Sequence, residues 1–488
     1  MIFEAIIIVL CCLIFRLYFY FNNCHNYWKS RHVPFEKPKP FFGNLLDILL
    51  GNANLGKYTA KLYEKIDASY FGMYILNKPI LVVKDPNILK HIFVKDFHYF
   101  TDKNFFTDIA IDELFSKSII SASGKKWKLL RSQLTKTFST GKIKAMVECE
   151  KITVKRLVDY LKSKNNKNFS AVSVFGSFVT DSIVSCFYGI GSNCFKEKNP
   201  IKFHGFNLFP KSGYDSIKIY SYNFIHEAVK LFKFKFFNKS SAKFLKELFK
   251  DVLRIRKWEK FERNDFVDLL ISLKEMNNDE IDEAVVLSQA ITFLVAGQDT
   301  TNLITSFAVY ELCKNVEVQD KLRNEINDTL REQEDISYEL INNMKYLDMV
   351  ILETLRKYPV VNFLQRKCVQ DYTLPGTGLL IERNTNIMIP IHGLHFDPKY
   401  YPEPEKFNPE RFNASNKQKI NSYSYLPFGT GPRNCIGKRF ALLTIKIALI
   451  YILKNFKIYE DVENVPVFHT SHIGYSANDF RIHYQLTD

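Results

Sequence analysis

Cys435 has more chemistry arranged around it than any other residue in the chain. It stands in the run Phe428-Gly429-Thr430-Gly431-Pro432-Arg433-Asn434-Cys435-Ile436-Gly437, and a helix-like run begins at once at Lys438. A cysteine just ahead of a helix N-terminus faces free backbone N–H groups and the positive end of the helix dipole, which favour thiolate. Gly431 and Gly437 permit turns and the close approach of a flat partner. Pro432 stiffens the loop, and Arg433 offers a fixed cation to an acidic group. A phosphate loop would need G-x-x-x-x-G-K-[ST], but position 432 is Pro and Arg439 follows Lys438. Zinc would need a second Cys or a His close by. A purely structural cysteine remains open from the loop alone.

Other residues recur at spacings that bring side chains together. Glu353 and Arg356, at i and i+3, share a helix face, so carboxylate and guanidinium can meet. Ala296-Gly297-Gln298-Asp299-Thr300-Thr301 sits inside the longest helical pattern, where an acid and two threonines are poor helix choices that suggest a compensating role. Trp127 and Arg131 lie one helical turn apart.

The cysteine loop resembles the haem-binding signature of the cytochrome P-450 family, F-x-x-G-x-R-x-C-x-G, at every fixed position. Glu353-Thr354-Leu355-Arg356 is similar to the family's E-x-x-R helix, and Pro409-Glu410-Arg411-Phe412 to the element that follows it. Ala296–Thr301 resembles the oxygen-binding A-G-x-[DE]-T stretch. The resemblance implies that Cys435 is the axial sulfur ligand to the haem iron. It implies that Phe428 shields the sulfur, that Gly431, Gly437 and Ala296 border the ring, and that Arg433, Trp127, Arg131 and Arg366 hold the propionates. Glu353, Arg356 and Arg411 would form a buried ion network, and Thr300 and Asp299 would be the catalytic proton-delivery pair. The stretches 371–377 and 396–407 look most like insect microsomal detoxification members. Neither His392 nor His395 is expected to bind iron.

Stepping outward from these residues, helical periodicity marks 143–162, 240–257, 280–315, 318–333, 344–358 and 438–455, and short strand-like runs fall at 70–76, 80–84, 386–391 and 480–485. The fold class is therefore mainly α with small β-sheets, a single large catalytic domain behind an N-terminal anchor. Residues 1–22 are apolar and long enough to span a bilayer, interrupted by Glu4 and Arg16. Residues 23–44 read as a basic, proline-rich hinge and 45–488 as the haem-binding domain. The basic flank keeps that side cytoplasmic. The net charge of +15 suits acidic lipid headgroups or an acidic protein, and no nucleic-acid signature is present. Nine scattered cysteines fit a reducing, cytosol-facing compartment rather than a disulfide scaffold.

Together these imply a haem-thiolate monooxygenase in the endoplasmic reticulum membrane, its catalytic domain on the cytoplasmic face, acting on an apolar small molecule. Haem b would be the cofactor. NADPH and flavin would act through a separate flavoprotein reductase, with cytochrome b5 as a further electron donor, because no dinucleotide fingerprint is present in the chain. Lys125, Lys126, Lys128, Lys438, Arg439 and Lys446 form a candidate docking face. Substrate walls are expected from 105–120, 206–224, the face of 290–300, 360–364 and 471–475. A haem isomerase or dehydratase acting on peroxides, or a non-enzymatic haem-binding protein, are the competing readings; neither requires the Asp299–Thr300 pair.

Overall fold

The computed structural model describes residues 2–50, 54–164, 168–196, 198–209, 213–259, 262–276, 281–331, 336–461, 468–470, 475–477 and 479–487. The principal helices are α1 (Ile2–Cys24), α2 (Gly124–Leu134), α3 (Thr140–Lys162), α4 (Ala171–Tyr188), α5 (Gly213–Phe224), α6 (Lys239–Glu259), α7 (Glu283–Lys314), α8 (Val316–Arg331), α9 (Lys345–Lys357) and α10 (Lys438–Asn455). The strands used below are β1 (Tyr70–Ile75), β2 (Lys78–Val83), β3 (Asn168–Ser170), β4 (Phe363–Lys367), β5 (Asn386–Pro390), β6 (Phe456–Glu460) and β7 (Arg481–Leu486). All six expected helices and all four expected strands are present, with ends shifted by a few residues.

The centre is a ring of four helices. α3 packs on α4 and α10, and α7 packs on α4 and α10. Two of these have no polar face to speak of, which is why they lie in the interior rather than on it. Along α4, Val174 to Val184 is buried without a break, and on α10 Ile445 to Ile450 likewise. α4 was not expected from the sequence: it is buried all round, so it lacks the amphipathic period that marks the others. α7 starts at Asp282, whose carboxylate accepts from Val285 N–H as an N-cap.

A four-stranded sheet in the order β1-β2-β5-β4 lies beside the helices. β1 and β2 form a hairpin with Phe71 opposite Val82, β5 joins β2 in parallel with Ile387 opposite Leu81, and β4 closes antiparallel with Arg366 opposite Ile387. That register places Arg366 on the edge strand, its guanidinium 4.9 Å from the Phe93 ring centroid. A second sheet runs β3-β7-β6.

α1 is an exposed apolar helix, with Ile2, Phe3 and Phe15 each more than half exposed. Its 23 residues would extend about 35 Å, enough for a hydrocarbon core of about 30 Å. The segment after it is packed onto β1. The Trp28 ring lies where a Cβ on Gly72 would stand, its Nε1–H donates to Met73 O at 3.2 Å, and Tyr74 O–H donates to His25 O at 2.8 Å. Of the expected substrate walls, 471–474 and 210–212 lie outside the described residues.

Candidate active site

Three backbone hydrogen bonds shape the loop ahead of α10. Gly429 N–H donates to Leu426 O at 3.0 Å, Asn434 N–H to Gly431 O at 3.1 Å, and Cys435 N–H to Phe428 O at 2.8 Å. Gly431 has φ of 74°, and a Cβ there would come within 2.0 Å of Phe93 O, so no other residue fits. Gly437 is different. Its φ is −85°, and a Cβ would meet only Phe138 Cε1 at 3.9 Å. The turn therefore does not require glycine at 437.

The loop delivers Cys435 to the first turn of α10. The residue is exposed, yet its sulfur is ringed by protein, and this desolvation pushes the thiol up from its ordinary range. Gly437 N–H, Arg131, Lys103 and Lys438 N–H offset that only in part. The N–H groups at the start of α10 thus favour thiolate, as expected, while burial opposes it.

Four cations cluster beside this loop, and two of them, Arg131 and Lys103, act on the Cys435 thiol. Arg131 donates from Nη1 to Asn434 O at 2.9 Å and from Nη2 to Asn434 Oδ1 at 2.6 Å, clamping the residue before Cys435. Arg433 stacks over the Trp127 ring at 4.2 Å and donates to Thr101 O and Ala122 O at 2.5 and 2.8 Å, with Asp102 Oδ1 at 3.6 Å. Arg366, fully buried, donates from Nη1 to Gln365 O, and its Nε has no partner. Burial, then Arg433, pulls Arg366 down to about 9; burial, then Arg131, pulls Arg433 to about 10 against the pull of Asp102. The fourth cation is Lys103, which the sequence reading missed. Burial, then Arg433 and Arg366, brings it down to about 7. It sits in a loop with no motif, so only the fold reveals it. One carboxylate, Asp102, faces this cluster among the described residues, which leaves it short of negative charge.

Behind the loop lies a buried ion network. Arg356 donates from Nε and Nη2 to the two oxygens of Glu353, both at 2.8 Å, and each side chain is fully buried. Nη1 and Nη2 of Arg356 also reach His395 O at 3.0 Å and Pro404 O at 2.7 Å. Arg411 Nε adds 3.3 Å to Glu353 Oε1, and Asn408 N–H donates there at 3.0 Å. Oε1 accepts three of these bonds and Oε2 one, and two arginines face the carboxylate, which is what makes a buried charge tolerable. His395 belongs to this network and was also missed.

On α7, Ala296 is exposed and Asp299 and Thr300 are half-buried, whereas Val295, Gln298 and Thr301 face the protein. Ala296 and Thr300 thus share one face, and Thr300 Oγ1–H donates to Ala296 O at 2.7 Å. A Cβ on Gly297 would lie 3.0 Å from Ile183 Cδ1, so this glycine serves close packing against α4, and the helix runs through unbroken. Lys125, Lys128, Lys438 and Arg439 are exposed near the loop. Lys446 is not part of that face: it is buried, bonded to Asp348 at 2.6 Å and Asn342 at 2.9 Å.

The family model "Cytochrome P450" matches residues 33–482. The chain is 37% identical to cytochrome P450 6k1 of Blattella germanica, covering 93% of this chain and 91% of that protein. It is 34% identical to cytochrome P450 6a2 of Drosophila melanogaster over 92% of each chain, and 33% identical to cytochrome P450 6B7 of Helicoverpa armigera over 92% and 91%. With the family's model spanning nearly the whole chain and relatives of this identity over nine-tenths of its length, the chain belongs to the cytochrome P450 family and is an oxidoreductase of the monooxygenase type whose cofactor is haem b.

Proposed function

We propose that this protein inserts one oxygen atom from dioxygen into an apolar small molecule, with Cys435 as the sulfur ligand of the haem iron. The observation that carries this reading is the charge beside the Cys435 loop: four clustered cations, Arg366 and Arg433 with buried side chains, facing one carboxylate, Asp102, among the described residues. Unbalanced buried cations are costly, and a dianionic ring edge laid across Arg366 Nε, Lys103 and Arg433 would balance them. The donor set therefore fits haem b.

Bound there, haem supplies oxygen activation, with a thiolate pushing electron density onto the iron and favouring O–O cleavage. The protein's own work is narrower. Arg131 and Arg433 hold the loop and the ring edge. Phe428, whose carbonyl accepts from Cys435 N–H, covers the sulfur. Gly437 and Ala296 present little bulk to a flat ring. Asp299 takes protons from the solvent side, and Thr300 Oγ1 passes them on by exchanging its bond to Ala296 O. Glu353, Arg356 and Arg411 fix the loop from behind and touch no reacting atom.

Residues 1–22 would anchor the domain in the endoplasmic reticulum membrane, 23–44 would set its orientation, and 45–488 would face the cytoplasm. Electrons would arrive from an NADPH-dependent flavoprotein reductase, with cytochrome b5 as a further donor, at the exposed Lys125, Lys128, Lys438 and Arg439. The substrate is a foreign compound, lipid or hormone-like molecule. The test is the absorption spectrum of the reduced, carbon-monoxide-bound protein beside Cys435→Ala. A red-shifted Soret band lost in the variant supports the reading; a band at the histidine–haem position in folded wild type overturns it.

A further inference from the structure

A cavity of about 470 Å³ lies between the C-terminal end of α3, the first two turns of α4, the connection 194–199 and the short helix Pro200–Phe206. That volume is in the range of cavities that hold a small organic molecule. Its lining includes none of the residues of the Cys435 site.

Two kinds of side chain make the walls. Lys196, Lys198 and Lys202 bring three positive charges, and none of them makes an ion pair among the described residues. Lys202 is held in place. Its Nζ donates to Ser177 Oγ at 2.7 Å and to Ser173 O at 3.1 Å, both on α4, and its backbone N–H donates to Asn199 Oδ1 at 3.0 Å. The third contact of Nζ, with Ser173 Oγ at 3.4 Å, is long, and an anionic oxygen in that place would make a shorter, charge-assisted bond. One carboxylate, Asp479, lines the cavity among the described residues, and it already accepts from Ser170 Oγ and from Val172 N–H at 3.1 Å. Asp181, fully buried on α4, has Arg156 3.8 Å away. The other walls are largely aromatic. Tyr160 and Phe195 meet with ring centroids 5.0 Å apart, Phe206 is half-buried, and Phe203 lines the cavity while 60% exposed.

We propose that this cavity binds an aromatic anion, a flat ring carrying a carboxylate, sulfate or phosphate group. The anionic group sits at Lys202 Nζ with Lys198 beside it, and the ring packs on Phe195, Phe203 and Phe206, where offset and edge-on contacts between rings are favourable. The helix Pro200–Phe206 ties the site to the rest of the molecule. A Cβ on Gly205 would run into Gln298 Oε1 of α7, and one on Gly176 of α4 into the Phe206 ring, so this helix is wedged against both. A ligand on its outer side therefore grips the element that leads into 206–224, the expected substrate wall, and that touches α7 one residue before Asp299.

The test titrates the full-length, haem-loaded protein, in nanodiscs of phosphatidylcholine and with an azole inhibitor filling the haem cavity, with naphthalene-1-sulfonate by calorimetry. The same titration is run with the uncharged 1-naphthalenemethanol. The expected result is one saturable sulfonate site per chain with a dissociation constant below about 1 mM, and no movement of the Soret band of the azole complex. The sulfonate should bind at least about tenfold more tightly than the alcohol, and its affinity should fall as salt rises from about 50 to about 500 mM. Lys202→Met should weaken the sulfonate at least about tenfold and leave the alcohol unchanged, whereas Lys202→Arg should keep most of the affinity. No saturable site, equal affinity for the two ligands, or displacement of the azole overturns the proposal, as does full sulfonate affinity in a folded Lys202→Met. The first three are read in the wild-type protein, so a variant that folds poorly does not blur them.

Discussion

Arg356 and His395 hold each other in both directions. Nη1 of Arg356 donates to His395 O at 3.0 Å, and Nδ1 of His395 lies 3.1 Å from Arg356 O. With Nδ1 carrying the proton, Nε2 is left to accept from Leu426 N–H at 2.9 Å. Leu426 O in turn accepts from Gly429 N–H. The imidazole therefore transmits the position of the buried ion network to the loop that carries Cys435. Burial, then the charge of Arg356, holds it down at about 3, so it is neutral at physiological pH.

His395→Ala strips the partner from Leu426 N–H and Arg356 O, both in the interior. Each unpaired group costs about 1–3 kcal/mol. The expected outcome is a lowered denaturant midpoint together with a smaller fraction of protein giving the thiolate-type spectrum. Wild-type values of both would remove His395 from the support of the loop.

Glu150 makes stability depend on pH in the direction opposite to most carboxylates. Burial raises it from 4.5 to about 7, against the hydrogen bonds from Thr444, Ser182 and Thr153. Between these values the folded state binds the proton and the unfolded state does not, so unfolding free energy falls as pH rises. The contribution is full below 4.5 and is lost as pH climbs through 7. Comparing Glu150→Gln with wild type by chemical unfolding at pH 5 and pH 7.5, the stability of wild type relative to the variant should be greater at pH 5. A constant difference would mean that Glu150 is not raised.

Lys103→Met and Arg366→Met each take one cation from the cluster beside Cys435. A charge-assisted hydrogen bond is worth about 1.5–3 kcal/mol, so haem should transfer to an acceptor protein roughly ten- to a hundredfold more readily. Lys103 is the sharper test, since no motif pointed to it. Unchanged haem retention in Lys103→Met would place it outside the cofactor's contacts.

Reduction by an NADPH-dependent reductase should slow as salt rises, because exposed charges separated by more than about 8–10 Å are screened at ionic strengths near 0.1 M. Lys128→Glu with Lys438→Glu should reproduce the loss at low salt through a slower association rate. Stopped-flow reduction insensitive to both would rule out this face.

Thr300→Ala removes the hydroxyl that donates to Ala296 O. Electron consumption should continue while product falls and peroxide appears. Tight coupling in the variant would exclude Thr300 from proton delivery.

Sequence alone determined what depends on neighbours within a turn or on a contiguous loop. Glu353 and Arg356 meet because i and i+3 share a helix face. The Cys435 loop is legible because its glycines, arginine and cysteine are local, and the amphipathic helices announced themselves by period. The tertiary structure alone decided what burial and long-range contact control. α4 carries no helical period because it is buried on every side. Lys103 and His395 become significant only when distant segments converge on Cys435 and Arg356. Lys446 is drawn inward by Asp348, although it looked suited to a docking face. The thiol of Cys435 is likewise set by how much protein surrounds it, and desolvation depends on the whole packed molecule rather than on any run of residues.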